Sequence, residues 1–136
     1  MRSSEILTEE ANYTYEVEGD WKQHAYITMY SFDPDTAWLL GNDPVEIGAA
    51  SIDFDRKAKS AYISRIDITR GKSEGNGTRF LAALIDMFKK KGYKEVTAYI
   101  VNSNMISKSF FSKNGFTQFT KGDWDEQHGI NVRKDI

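Results

Sequence analysis

The sequence predicts a mixed α/β domain: a meander of antiparallel strands, then helix, strand, helix and a closing strand pair. Three observations predict it. Between residues 13 and 69, short stretches of β-branched, aromatic and alternating side chains are separated by turn clusters, the pattern of strands joined by tight turns. Phe80, Leu81, Leu84, Met87 and Phe88 then recur at steps of three and four, the period of a helix laid on a sheet. Val96 to Val101 returns to strand character, so a helix must carry the chain between two strands of one sheet.

The elements follow in order. Residues 1–11 read as a polar lead-in. Tyr13, Tyr15 and Val17 alternate with Thr14, Glu16 and Glu18, and Gly19-Asp20 turns the chain. Ala25 to Phe32 is a second strand, ended by Asp33-Pro34-Asp35, and Thr36 to Leu40 a short third. Gly41-Asn42-Asp43-Pro44 is a turn cluster. Val45 to Phe54 and Ala61 to Thr69 are the fourth and fifth strands, and in the fifth Ile63 is the one apolar residue out of phase. The helix that follows ends in Lys89-Lys90-Lys91-Gly92, cations at the negative end of the helix dipole and then a C-cap glycine. Asn104 to Asn114 is a shorter helix closed by Gly115, and Phe116 to Thr120 and Ile130 to Arg133 are the closing strands.

Composition bounds the function. The chain has 136 residues, enough for one domain that buries roughly 68% of its unfolded surface. Residues 1–136 carry no repeat or linker and read as a single domain. A formal net charge of −2 advertises neither a nucleic-acid nor a membrane partner. There is no cysteine, which removes disulfides, thiolate nucleophiles and Cys-ligated zinc together. His24 and His128, isolated in polar contexts, give no metal-ligand pattern. The segment Met1 to Glu10 has no signal-peptide character, and the longest apolar run, Phe80 to Ile85, is six residues, so a cytoplasmic protein is expected.

The junction between the fifth strand and the first helix carries the chemistry. Arg70-Gly71-Lys72-Ser73-Glu74-Gly75-Asn76-Gly77-Thr78 runs straight into the helix. Glycines let the backbone approach a ligand closely, and the first helical turn offers unpaired N–H groups at the positive end of the dipole. That combination suits a pyrophosphate. Arg70, Lys72 and Arg79 add side-chain charge. The Walker pattern is absent, and a dinucleotide fingerprint fails because position 80 is Phe. A glycine-softened loop with no ligand is the plain alternative.

With this loop, Ile66 to Phe116 resembles the GNAT superfamily of acyl-CoA-dependent N-acyltransferases. Ile68 stands seven residues before Gly75, as the family's strand-end valine does. Lys72-x-x-Gly75-x-Gly77 fills the family's Arg/Gln-x-x-Gly-x-Gly/Ala motif, with lysine keeping the charge but losing the guanidinium fork. Downstream, Asn104, Ser107, Phe111, Gly115 and Phe116 fall at the offsets of Asn-x-x-Ala-x-x-x-Tyr-x-x-x-Gly-Phe.

The resemblance implies a mostly antiparallel sheet whose two central strands splay apart around pantetheine. The chain departs from the family in its reduced N-terminal helical region: residues 18–24 leave room for a single turn where the family has one or two helices, so acceptor recognition does not carry over. It implies acetyl-CoA as cosubstrate, with pantetheine amides paired near Ile66 and Ile68. The pyrophosphate would sit on the N–H groups of Gly75, Asn76, Gly77 and Thr78 beside Lys72, with Asn104 reaching the coenzyme from the second helix. The acceptor it implies is an amine-bearing small molecule or peptide. Phe111 stands where the family often has the tyrosine that protonates the departing thiolate.

Acetyl transfer to an amine needs a proton acceptor. Asp67, at the strand end, is the candidate general base, and Glu46 and Asp53 lie one strand over; the plain reading of each is an exposed or ion-paired acid. Trp21, Tyr26, Tyr30, Phe32 and Trp38 read either as sheet core or as an apolar acceptor or homodimer surface. The leading reading is an acetyl-CoA-dependent N-acetyltransferase. The alternatives are a coenzyme-binding or interaction module without catalysis, and an oligomeric interaction protein without ligand.

Overall fold

The computed structural model describes residues 3–10, 13–31, 45–69, 75–119 and 128–136. Among these, eight strands form one sheet: β1 (Ser3–Glu10), β2 (Tyr13–Gly19), β3 (His24–Ser31), β4 (Val45–Asp55), β5 (Ser60–Ile68), β6 (Glu95–Val101), β7 (Thr117–Phe119) and β8 (Gly129–Asp135). Two helices join them, α1 (Asn76–Lys90) between β5 and β6, and α2 (Met105–Lys113) between β6 and β7. The spatial order is β1-β2-β3-β4-β5-β6-β8-β7. All neighbouring strands are antiparallel except β5 and β6.

The first departure from expectation is β1. Its sequence has little apolar alternation, yet it pairs with β2 from Ser3↔Gly19 onward. An edge strand draws its stability from backbone hydrogen bonds to one neighbour, so a polar sequence suffices there. The expected strand at 36–40 lies outside the described residues, as do Phe32 and Trp38.

One face of the sheet makes the core. Tyr15, Val17, Ala25, Ile27, Met29, Ala50, Ile52, Ala61, Ile63, Val96 and Ala98 are buried on it, the odd–even rhythm that strand pleating dictates. The five apolar positions at helical spacing, Phe80, Leu81, Leu84, Met87 and Phe88, are the buried stripe of α1. Tyr15 stacks on Phe80 at one end, with centroids 6.0 Å apart. At the other end Trp21 and Phe54 pack on Phe88 and on each other, and Tyr93 stacks on Phe54. The Phe88→Ala variant should lose about 3–5 kcal/mol of unfolding free energy, measured by urea titration, because the fully buried ring is closed on edge-on by Trp21 and Phe54.

The phase anomaly at Ile63 has a structural cause. Ser51 pairs with Arg65 and Ile52 with Ile63, which leaves Ser64 as the extra residue of a β-bulge. Its hydroxyl donates to the Ser51 carbonyl at 3.1 Å. The bulge shifts the alternation by one, so Ile63 before it and Ile66 and Ile68 after it all turn toward the core. The parallel pairing of β5 with β6 covers only Ser60 to Ile63 against Glu95 to Ala98. It stops where the bulge bends β5, and the two strands part beyond it. No helix among the described residues is long and apolar enough to cross a membrane.

Candidate functional site

The parting of β5 and β6 opens a groove in three stretches. The first, about 570 Å³, lies between the start of α1 (Gly75, Gly77, Thr78) and one side of α2 (Met105, Ile106, Phe110). The second, about 260 Å³, runs along the end of β5 past Ile66, Asp67 and Ile68. The third, about 200 Å³, is the wedge between β5 and β6, where Asn104, Ser107 and Phe111 form the α2 side. Gly77, Ile106 and Phe110 wall both the first and second stretches. Ile66, Asp67 and Ser107 wall both the second and third, so the groove is continuous.

The N-terminus of α1 is left open by its sequence. Gly75 occupies the N-cap position in the left-handed region, with φ 78 and ψ 12, and supplies no side-chain cap. No acidic residue stands in the first turn. The first intrahelical bond is Arg79 N–H to the Gly75 carbonyl at 3.0 Å, which leaves the N–H groups of the first turn facing outward. Gly77 is a point of close approach: a Cβ there would stand 3.1 Å from Phe110 Cε1 and 3.6 Å from Ile68 Cγ1. Nothing lies within 4 Å of a Cβ on Gly75, whose constraint is its backbone angle alone.

The sequence-predicted residues fall as follows. Ile66, Asp67, Ile68, Gly75, Gly77, Thr78, Asn104 and Phe111 all line the groove. Asn76 is buried in the first turn of α1, where its Oδ1 accepts from Arg79 Nη1 at 2.9 Å. Arg79 also lies 4.5 Å over the Tyr13 ring, so its guanidinium is committed to the fold. Asn104 caps α2, accepting from Ser107 N–H at 3.0 Å. Phe111 is 4% exposed, edge-on to Phe110 and Phe116 at 5.2 and 5.0 Å. Arg70 and Lys72 lie outside the described residues.

Two of the three candidate carboxylates do not line the groove. Asp53 accepts from His24 Nδ1 at 2.8 Å, at the opposite end of the sheet. Glu46 is exposed on β4, in register with Tyr30. Asp67 does reach the groove, half-exposed, with one carboxylate oxygen in an ion pair with Arg65 Nε.

Residues that local reasoning passed over are Met105, Ile106 and Phe110. Met105 and Ile106 are 67% and 85% exposed, an apolar lip on the groove. Their signal in the sequence was an apolar pair at the start of a short helix whose buried stripe lay elsewhere.

The sheet face opposite α1 also bears on the site. Across it, Glu16 pairs with Thr28, Thr28 with Ala49 and Ala49 with Asp67, while Glu18 pairs with Tyr26, Tyr26 with Ser51 and Ser51 with Arg65. The phenol of Tyr30 is pushed above its ordinary pKa, first by partial burial and then by Glu16, Glu46 and Glu18. Around Tyr30 the local potential is therefore negative.

A family model described as Acetyltransferase (GNAT) domain matches residues 47–122, more than half of the chain. No curated protein matches significantly. The fold is similar to that of the PaiA N-acetyltransferase of Thermoplasma acidophilum in complex with coenzyme A, with 19% identity and a TM-score of 0.63. That match covers 84% of this chain and 62% of the other, so the chain spans less than two thirds of that protein's length. It is similar too to a Bacillus subtilis acetyltransferase in complex with CoA, at 15% identity and TM-score 0.64, covering 84% of this chain and 78% of that one. A domain from Methanocaldococcus jannaschii matches at 16% identity and TM-score 0.65, covering 85% and 68%. At such identities the likeness establishes the fold, and the family match over residues 47–122 establishes the rest: the chain belongs to the GNAT family of acetyltransferases.

Proposed function

We propose that this protein transfers an acetyl group directly from acetyl-CoA to a primary amine. The observation that carries the reading is the continuous groove from the uncapped N-terminus of α1 into the β5–β6 wedge. In this reading the pyrophosphate sits on the first-turn N–H groups of α1, with Lys72 as an added cation. The pantetheine arm lies against β5 at Ile66 and Ile68, under the lip of Met105 and Ile106, near Asn104. The thioester reaches Asp67 and Phe111, and the acceptor amine arrives from the opposite sheet face.

The chemistry follows from those positions. The amine's lone pair attacks the thioester carbonyl, the C–S bond breaks, and the thiolate leaves on the coenzyme. Asp67 takes the proton that the ammonium must lose, held in place by Arg65. The negative face formed by Glu16, Glu18 and Glu46 around Tyr26 and Tyr30 favours acceptors that are cations in solution. The reading takes residues 1–136 as one acetyltransferase domain acting in the cytoplasm, without a resident metal. The test is thiol release from acetyl-CoA across a panel of small amines and peptides, beside calorimetry with the coenzyme. No detectable coenzyme binding at high micromolar ligand would overturn the reading.

Phe111 favours a second reading, a coenzyme-binding module without catalysis. A phenyl ring has no proton to give, so thiolate departure relies on solvent or on the amine's own proton. A thiol pKa near 8.5 makes that feasible at neutral pH. Phe111→Tyr should leave coenzyme affinity nearly unchanged and raise turnover by up to ~10²-fold where thiol departure limits the rate. Measuring kcat and coenzyme affinity for both forms from pH 6 to 9 checks this. Coenzyme binding without thiol release in either form would identify the module.

A further inference from the structure

A second cleft, about 380 Å³, lies at the end of the sheet away from the coenzyme groove. Three separate turns bound it. The β2–β3 turn gives Trp21 and Lys22, the β4–β5 turn gives Arg56 and Lys59, and the turn after α1 gives Lys91, Gly92 and Tyr93. The two sites stand at opposite ends of α1, a helix of 15 residues and so ~22 Å long.

The floor of this cleft is fixed. Phe54 packs on Tyr93 at 4.7 Å and on Trp21 at 5.7 Å, and Trp21 sits edge-on to Phe88. The Tyr93 hydroxyl donates to the Trp21 carbonyl, tying the first turn to the third. Burial raises the Tyr93 phenol above its ordinary pKa, so it remains a donor at neutral pH.

The rim is cationic. Among the described residues, Lys22, Arg56, Lys59 and Lys91 form no salt bridge; Lys91 Nζ lies 5.3 Å over the Trp21 ring. The adjacent acids already hold the turns. Asp20 Oδ1 accepts from the N–H groups of Lys22 and Gln23, and Asp55 Oδ1 from Ala58 N–H at 3.0 Å. Four like charges brought to one concave, aromatic-floored place repel one another, and an anion bound among them relieves that repulsion.

We infer that this cleft binds a small polyphosphate anion at a site separate from the coenzyme groove. The volume falls in the range of small-molecule sites. Arg56 supplies a guanidinium fork for two phosphate oxygens, and the three lysines supply mobile point charges. Monoanions and dianions engage only part of this rim, so affinity rises with the number of linked phosphates.

The test uses inorganic triphosphate as the probe, followed by nitrogen–proton correlation spectra and calorimetry near physiological salt. The backbone resonances of Lys22, Arg56 and Gly92 should shift together with one saturating isotherm, under conditions where those of Gly77 and Thr78 remain still. Replacing Lys22→Glu and Arg56→Glu together should weaken triphosphate by at least ~30-fold. The same variant should keep the wild-type circular dichroism spectrum and coenzyme affinity. Should that pair not fold, Arg56→Ala alone should weaken the probe about tenfold. Shifts confined to Gly77 and Thr78, unchanged affinity in the variants, or sulfate binding as tightly as triphosphate at matched ionic strength would each overturn the proposal.

Discussion

Gly77→Val is expected to lower coenzyme affinity by more than ~10²-fold, over 2.7 kcal/mol in binding free energy. A Cβ at this position already meets the Phe110 ring at 3.1 Å, tighter than ordinary contact, and Ile68 at 3.6 Å. Valine adds two methyl groups beyond that Cβ. Either the Phe110 ring moves into the first stretch, where the pyrophosphate would lie, or α2 moves off α1 and pulls the two walls of that stretch apart. Overpacking of this kind costs about 1–3 kcal/mol of stability, so the variant should still fold. Gly75→Ala is the matched control. Its Cβ meets nothing within 4 Å, and the strain of φ 78 costs about 1 kcal/mol of stability. It should bind the coenzyme within a few-fold of wild type. Calorimetry with acetyl-CoA on all three proteins, beside urea melts, separates the cases. Wild-type affinity in a folded Gly77→Val protein would place the coenzyme elsewhere.

Asp67→Asn is expected to reduce kcat/KM for amine acetylation by ~10²–10⁴-fold while leaving coenzyme affinity within about twofold. The amide cannot accept the proton that an ammonium must lose before or during attack. It keeps the shape of the carboxylate, so the wedge lining changes little. The pH profile supplies the second readout. With the base removed, the residual rate should rise with pH as the free amine fraction in solution grows, since deprotonation then falls to solvent. Arg65 loses its partner in this variant. The pair is largely exposed, so that loss costs at most ~1 kcal/mol of stability. An unchanged kcat/KM would show that Asp67 is a surface acid held by Arg65 and that the proton leaves by another route.

Both variants act at positions the sequence alone singled out, and the reason is local. The start of α1 is a stretch of consecutive residues whose glycines, missing side-chain cap and following helix are set by their own order, so the turn from Gly75 into the helix was legible. The α1 stripe was legible for the same reason: Phe80, Leu81, Leu84, Met87 and Phe88 repeat at helical spacing whatever they pack against. Asn104 and Phe111 followed from their offsets to Gly115 and Phe116.

Pairing across the sheet was legible only in outline. Ile63 broke the alternation of β5 in the sequence, but only the register with β4 shows that Ser64 is bulged there. That bulge marks where β5 leaves β6, so the wedge is a product of three strands and of no single segment. The polar β1 gave no periodic signal because its order comes from pairing with β2.

By itself, then, the sequence determined the order of the described elements from β2 onward, the buried stripe of α1 and the glycine turn that opens this helix, since period and turn chemistry act over a few neighbouring residues. Only the tertiary structure decided that Phe110 closes on Gly77, that Arg65 holds Asp67, and that cations from three distant turns share one cleft. Those contacts join residues tens of positions apart or depend on which sheet face a bulge leaves them on. No local preference encodes them; they exist once the strands have paired.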